Sequence, residues 1–370
     1  MNLAGRIEEM INKMSKRQFI LLYMMLAASP VIKAFPFMMS ETAAQAGWLS
    51  PLVSAVLLFG VMLMMNLIFK KHKGENLIQL SCKILSKPAG IIIAAAYFIW
   101  MIIMLGFYIR YFGENVVSNI MSEASLKFIM LSMLILVGVV LSKSIIYYAR
   151  LNEVIFSCFI LAFLITGFLA LFTRVKIENL LPVSSIDIIP VAKGGIKGLS
   201  VFGYYAFLFF IFDEVRSEES NIKLEIKSAS AVGLLSMFVM LVTIGAVGYN
   251  TILHFTDPYF MVVKNVDILG FLERLDAILF IMWILADFTT ITIFTYMAAS
   301  IVKAAIPKIN KKQYIVYGVL AASYAAAAYG FNSKFLLELF AKEFSVMLNV
   351  IFALALPVLL LIVGKLRRMI

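Results

Sequence analysis

A chain of 370 residues that is 63% hydrophobic, with a mean hydropathy of +0.98 and only 14% charged residues, lies far outside the composition of a soluble domain. Apolar runs long enough to cross a bilayer recur along its length, so the class is an all-α polytopic membrane protein with the lipid bilayer as its solvent. The net charge of +11 sits in short basic clusters between those runs, the positive-inside pattern, which excludes a nucleic-acid reading.

Residues 1–17 are polar and charged with no small-residue cleavage pattern behind them, so the first apolar segment is expected to stay in the mature protein. That segment, Gln18 to Phe37, reads QFILLYMMLAASPVIKAFPF and carries Ser29-Pro30 at its middle and Lys33 just beyond. Proline removes a backbone donor and clashes with the preceding turn, so the segment is expected to be broken there; a proline kink packed by neighbours is the alternative. Nine further segments follow: Leu49 to Phe69, Ala89 to Phe107, Leu126 to Leu141, Val154 to Phe172, Gly195 to Phe212, Ala229 to Tyr249, Ala277 to Ile301, Tyr314 to Gly330 and Phe344 to Val363. Most of the 32 lysines and arginines fall in alternate connections that include both chain ends, which places both termini in the cytoplasm.

The two longest outer connections, Thr173 to Gly194 and Asn250 to Asp276, are rich in apolar and aromatic residues and are expected to pack over the outer mouth. The inner connection Arg216 to Lys227 mixes both charge signs and reads as a solvated turn with a short amphipathic helix, or as a docking surface. Five segments per half is an odd number. Related halves, about 16–172 and 195–364 of a single integral domain, would therefore sit in opposite topology, and segment one would correspond to segment six. Segment six is loosened by Gly194, Gly195, Gly198 and Gly203, with Gly203-Tyr204 near its middle. Paired interruptions of this kind point to a midplane ligand site, where half-helix ends and unwound carbonyls meet polar ligand groups.

Asp287 lies roughly 10 residues from either end of segment eight, about 15 Å deep at the helical rise. A bare carboxylate at that depth is costly. Asp276, Phe280, Trp283, Asp287 and Thr290 share one helical face, which should look into the bundle. Lys33 is the intramembrane cation placed to partner Asp287 if their helices are neighbours, with snorkelling to the interface as its alternative. Tyr97, Met101, Met104 and Tyr108 form one face of segment three. Arg150 and Glu153, at the start of segment five, read as an interface anchor or an inner gate. Cys82, Cys158, His72 and His254 are isolated, no metal, phosphate-loop or His-centred catalytic pattern occurs, and neither an enzyme nor a cofactor is expected.

Four stretches, in order, carry a family likeness: Ser15 to Ser50 with MSKRQF, AFPF and AAQAGWLS; YYARLNEV, Tyr147 to Val154; LLPV, Leu180 to Val183; and FLERLDAILFIMWI, Phe271 to Ile284. By them the chain resembles the GerAB-like spore germination permeases, B subunits of GerA-type germinant receptors, in the amino acid/polyamine/organocation superfamily. The likeness implies a LeuT-type 5+5 inverted repeat of ten transmembrane helices with helices one and six broken. It also implies a small germinant, typically an amino acid, A and C receptor subunits as partners, and the inner spore membrane or another bacterial cell membrane as the location. A monovalent cation position would fall near the Ala27 carbonyl, Asp287 and Thr290, a role Lys33 would take as a built-in charge. Where relatives tend to carry a glycine in the broken part of segment one, this chain reads Ala27-Ala28-Ser29-Pro30, and it lacks a proline late in segment six.

The expected ligand-lining set is therefore Ala28, Ser29, Pro30, Val31, Tyr97, Gly203 and Tyr204, with backbone donors of Ser29 to Val31 meeting a ligand carboxylate. Ala27, Lys33, Asp287 and Thr290 form the ion or charge site. The expected function is a receptor subunit; the alternative is a secondary transporter importing an amino acid or amine with sodium or protons.

Overall fold

The computed structural model describes residues 13–216, 222–266, 275–309 and 311–370. Part of the mixed-charge connection (residues 217–221), Phe271 to Arg274 and the side chain of Asp276 lie outside them. The helices are α1 Lys16–Ala43, α2 Ser50–Phe69, α3 Leu77–Ile84, α4 Lys87–Asn119, α5 Leu126–Leu141, α6 Ile145–Arg174, α7 Ile188–Phe202 and α8 Tyr204–Phe207. They continue with α9 Ile222–Val247, α10 Tyr249–Ile252, α11 Pro258–Lys264, α12 Leu275–Ala305, α13 Lys312–Ala325, α14 Lys334–Leu339 and α15 Ser345–Leu366. Among the described residues there is no strand, only an isolated parallel bridge between Met14 and Val215. Seven stretches among those residues are long and apolar enough to cross a membrane, with Lys16–Phe69 counted as one. Each of the ten expected segments falls on helix.

Local chemistry sets the helix starts. Ser15 accepts from the Gln18 amide while the Gln18 side chain accepts from the Ser15 amide, a reciprocal cap that begins α1. Asn76 and Gln79 do the same for α3. Ser86 caps α4, with a proline in its first turn. α4 runs well past the expected end at Phe107, because Arg110 and Glu114, four residues apart, pair at 2.7 Å and let polar residues continue the helix.

α1 does not break. It is helical from Lys16 to Ala43 through both Pro30 and Pro36, contrary to the expected interruption. Pro30 cannot donate to the preceding turn, but Ser29 and Lys33, four residues apart on one face, both bond Asp287 of α12 and bracket the proline. Segment six is interrupted as expected. α7 ends at Phe202, Gly203 forms a turn, α8 lasts four residues, and a 3₁₀ stretch, Leu208–Glu214, contains a non-helical Ile211 at φ −120°.

The two ends of the bundle differ. At the near end, where α1 starts, Phe19, Phe69, Phe209 and Phe212 interlock with ring centroids 4.5 to 5.7 Å apart. There the Met14 amide donates to the Glu214 carbonyl and the Arg216 amide to the Met14 carbonyl, each at 2.9 Å. Tyr296 donates to Glu214 at 2.7 Å, and Lys312 pairs with the same carboxylate at 3.3 Å. At the far end, Glu41 of α1 pairs with Lys197 of α7 at 3.1 Å around an open cavity. Part of the second long connection, Leu253 to Thr256, lies over that cavity, as its composition suggested.

Candidate functional site

Lys33 and Asp287 meet inside the bundle. Lys33 is 6% and Asp287 3% exposed, and the lysine Nζ lies 2.7 Å from each carboxylate oxygen. Ser29 Oγ donates to Asp287 Oδ1 at 2.6 Å. A carboxylate taken out of water is tolerated only when its oxygens are filled, and these donors fill them. The ammonium also lies over the rings of Trp283 and Tyr111, 4.7 and 4.9 Å from their centroids. Phe280 and Trp283 stand with Asp287 on the expected inward face.

A cavity of about 170 Å³ opens beside this pair toward the far end. Its buried floor holds Lys33, Tyr108, Tyr204 and Asn349. The Tyr108 and Tyr204 hydroxyls share a hydrogen bond of 2.8 Å, Asn349 Nδ2 donates to the Tyr204 hydroxyl at 3.1 Å, and Trp100 Nε1 donates to Asn349 Oδ1 at 3.1 Å. The walls are apolar and aromatic, with Ala34, Phe37, Met104, Phe107, Val201 and Phe255; the rim carries Glu41, Lys197, His254, Glu338 and Lys342. A dry aromatic wall, a hydrogen-bonding floor and a charged rim suit a small ligand with one polar end and an apolar body.

The expected residues divide. Pro30, Lys33 and Tyr204 line the cavity, and Ser29 bonds Asp287, the partner of Lys33, without lining it. Ala27, Ala28 and Val31 instead border a shallow apolar groove of about 40 Å³ against Phe159 of α6 and Val239 of α9, on another side of α1. Because α1 is a continuous helix, the backbone amides of Ser29 and Val31 belong to it and do not present an open half-helix end, which corrects the expected carboxylate contact. Tyr97 packs against Phe207, Phe210 and Phe352, and its hydroxyl donates to the Phe352 carbonyl at 2.5 Å; it is not a cavity residue. Gly203 is a close-packing position, where an added Cβ would stand 2.6 Å from both the Ala353 Cβ and the Leu199 carbonyl. Thr290 donates to the Ala286 carbonyl at 2.9 Å, one turn back on its own helix. That bond leaves the Thr290 oxygen free as an acceptor, but the Lys33 ammonium on both oxygens of Asp287 stands where a dissolved monovalent cation would have to sit, so the residues as arranged do not fit one. Glu153 accepts from Gln18 at 3.5 Å, tying α6 to α1 at the near end.

Asn349, Trp100 and Tyr111 escaped the sequence reading. Asn349 is the one amide in the apolar run Ser345–Leu366, and a lone polar residue in a spanning segment is a signal of its own. Tyr111 lies beyond Phe107, where the apolar run of its segment ends, on the polar extension of α4. Its hydroxyl donates at 2.8 Å to Asp257, which lies just ahead of α11 in the far-end connection. Burial pushes the Asp257 carboxyl above its ordinary range, against the pull of Lys33 and the Tyr111 hydrogen bond.

The far-end cavity and the charge pair under it stand in a chain whose residues 13–336 match the family model described as spore germination protein. The chain is similar to spore germination protein YndE of Bacillus subtilis (strain 168), 24% identical over 89% of each chain. It is also similar to putative spore germination protein YfkT of the same strain, 27% identical over 68% of this chain and 69% of the relative. Spore germination protein GerLB of Bacillus cereus is 31% identical over 37% of this chain and 38% of that protein. With its helical, apolar fold and a family match over most of its length, the chain belongs to the spore germination protein family, the spore permeases.

Proposed function

We propose that this chain is the membrane subunit of a spore germinant receptor, binding a small germinant, an amino acid in the first instance, in the far-end cavity. The observation that carries the reading is the buried floor of Tyr108, Tyr204, Asn349 and Lys33 beneath an aromatic wall. The ligand's polar end meets the hydroxyls and amide of that floor, and its apolar body lies against the aromatic wall below the charged rim. In this reading the chain is a ten-crossing LeuT-type bundle of two inverted halves, with both termini cytoplasmic and the cavity facing outward. It sits in the inner spore membrane beside A and C subunits, and its role is binding, not catalysis. Lys33 supplies the cation that Asp287 needs. Ligand signals only if it binds one arrangement of the bundle better than another.

The second reading, a secondary transporter of an amino acid or amine, is favoured by one feature: the cavity opens at one end while aromatic packing and the Met14–Val215 bridge close the other. The experiment is a thermal-shift screen of the purified chain against amino acids, nucleosides and sugars, repeated on Tyr204→Phe and Asn349→Ala. A saturable shift lost in both variants supports the pocket; a shift untouched by either removes it from this cavity. Uptake by vesicles holding the chain alone would select the transporter.

A further inference from the structure

The surroundings of the Lys33 head group have a chemistry of their own. Both oxygens of Asp287 face it at 2.7 Å, and the rings of Trp283 and Tyr111 lie 4.7 and 4.9 Å away. A carboxylate combined with two aromatic faces is a receptor for an ammonium ion, because charge and ring quadrupoles all favour a compact cation with N–H donors. The cage is braced from behind. Trp283 stacks on Phe260 at 5.2 Å between centroids, and the Tyr111 hydroxyl is fixed by Asp257. Trp283 Nε1 has no acceptor, so no hydrogen bond accounts for where this ring sits; its contacts are with Lys33 and with Phe260 and Phe280.

The cage does not depend on the lysine being covalently attached. Asp287 and Trp283 come from α12 and Tyr111 from α4, and Ser29 adds its hydroxyl to Asp287 from α1 whatever stands at position 33. Lys33 also lines the far-end cavity, so shortening its side chain extends that cavity toward Asp287.

We propose that Asp287, Trp283 and Tyr111 form an ammonium-binding site that the chain fills with its own Lys33, and that this site takes a free primary alkylammonium once the lysine is shortened. The tethered amine holds the site in the intact chain at an effective concentration no dissolved amine matches. A ligand entering the cavity therefore does not set its amine on Asp287; it is read by the groups left open, the Tyr108, Tyr204 and Asn349 floor and the rim. This holds whether the cavity serves a receptor or a transporter.

The test is chemical rescue of the purified full chain. Lys33→Ala removes a stem and head group of about the size of n-propylammonium, and is compared with the intact chain and with Lys33→Ala/Asp287→Asn. Thermal midpoints are read against increasing n-propylammonium chloride, with potassium chloride and 1-propanol as controls for ionic strength and apolar volume. The expected result is a lowered midpoint in Lys33→Ala that n-propylammonium returns saturably, no saturable shift in the intact chain, and none in the double variant. A Lys33→Ala midpoint that ignores the amine, or a rescue equal in the double variant or with 1-propanol, overturns the proposal. Should Lys33→Ala accumulate too little folded protein, the yield of monodisperse protein purified with and without the amine becomes the readout, and a yield indifferent to the amine overturns it equally.

Discussion

α1 and the α7–α8 segment respond in opposite ways to the helix-breaking residues they carry. α1 contains two prolines and stays helical over 28 residues. The segment from Ile188 to Glu214 has its one proline in the first turn and comes apart at Gly203 and again at Ile211. The difference is in what each helix is fastened to. α1 is clipped to α12 by side chains on both sides of Pro30, so the turn that lost a backbone bond is held from outside. Past Gly203, the residues Tyr204 to Ile211 are buried on every side. A uniform α-helix would have to satisfy aromatic contacts in all directions at once, and the chain tightens into 3₁₀ geometry. Proline lowers the cost of a break; packing decides whether one occurs.

The strongest way to break this contrast is Asp287→Ala, which strands Lys33 as an uncompensated buried cation and costs about 3–5 kcal/mol. The expected outcome is a large fall in thermal midpoint together with faster amide exchange in α1 on both sides of Pro30; unchanged exchange there would show that the clip does not hold the helix. Ser29→Ala removes one hydrogen bond to a charged group, worth about 1.5–3 kcal/mol, and should raise exchange around Pro30 while the Lys33 pair persists. Gly203→Ala tests the other helix. Its Cβ meets the Ala353 Cβ and the Leu199 carbonyl at 2.6 Å, so a loss of about 1–3 kcal/mol is expected, and Ala353→Gly should recover only part of it because the carbonyl stays. Full recovery would locate the whole strain at α15.

The smallest effect concerns Asp257, which reaches the clip through Tyr111. Its raised pKa means the folded protein binds that proton more tightly than the unfolded chain, whose value is about 3.9. The stability it contributes is present in acid and is lost as pH rises through the folded value. Asp257→Asn should flatten this part of the stability-versus-pH curve, and an unaltered curve would remove Asp257 from the account.

How far the sequence could be read follows the range of the forces involved. A spanning length of apolar residues is a local property, since backbone polar groups in hydrocarbon must bond within their own helix; seven helical stretches of that length stand among the described residues for that reason. An ionisable residue at membrane depth is costly wherever it sits, so Lys33 and Asp287 stood out before their helices were placed. Gly203 likewise marked a real interruption, whereas Gly194, Gly195 and Gly198 lie within the unbroken α7, packed against Ser50, Val53 and Ser54. What only the tertiary structure decided is which faces meet. α4 turns Tyr108 into the cavity and Tyr97 into a cluster with Phe207 and Phe352, although both belong to one sequence stripe. Asn349 joins the floor from the last long helix, and α1 survives its proline through a partner more than 250 positions away. Those outcomes depend on contacts between distant segments. The residues set the local costs, and packing chose which groups would offset them.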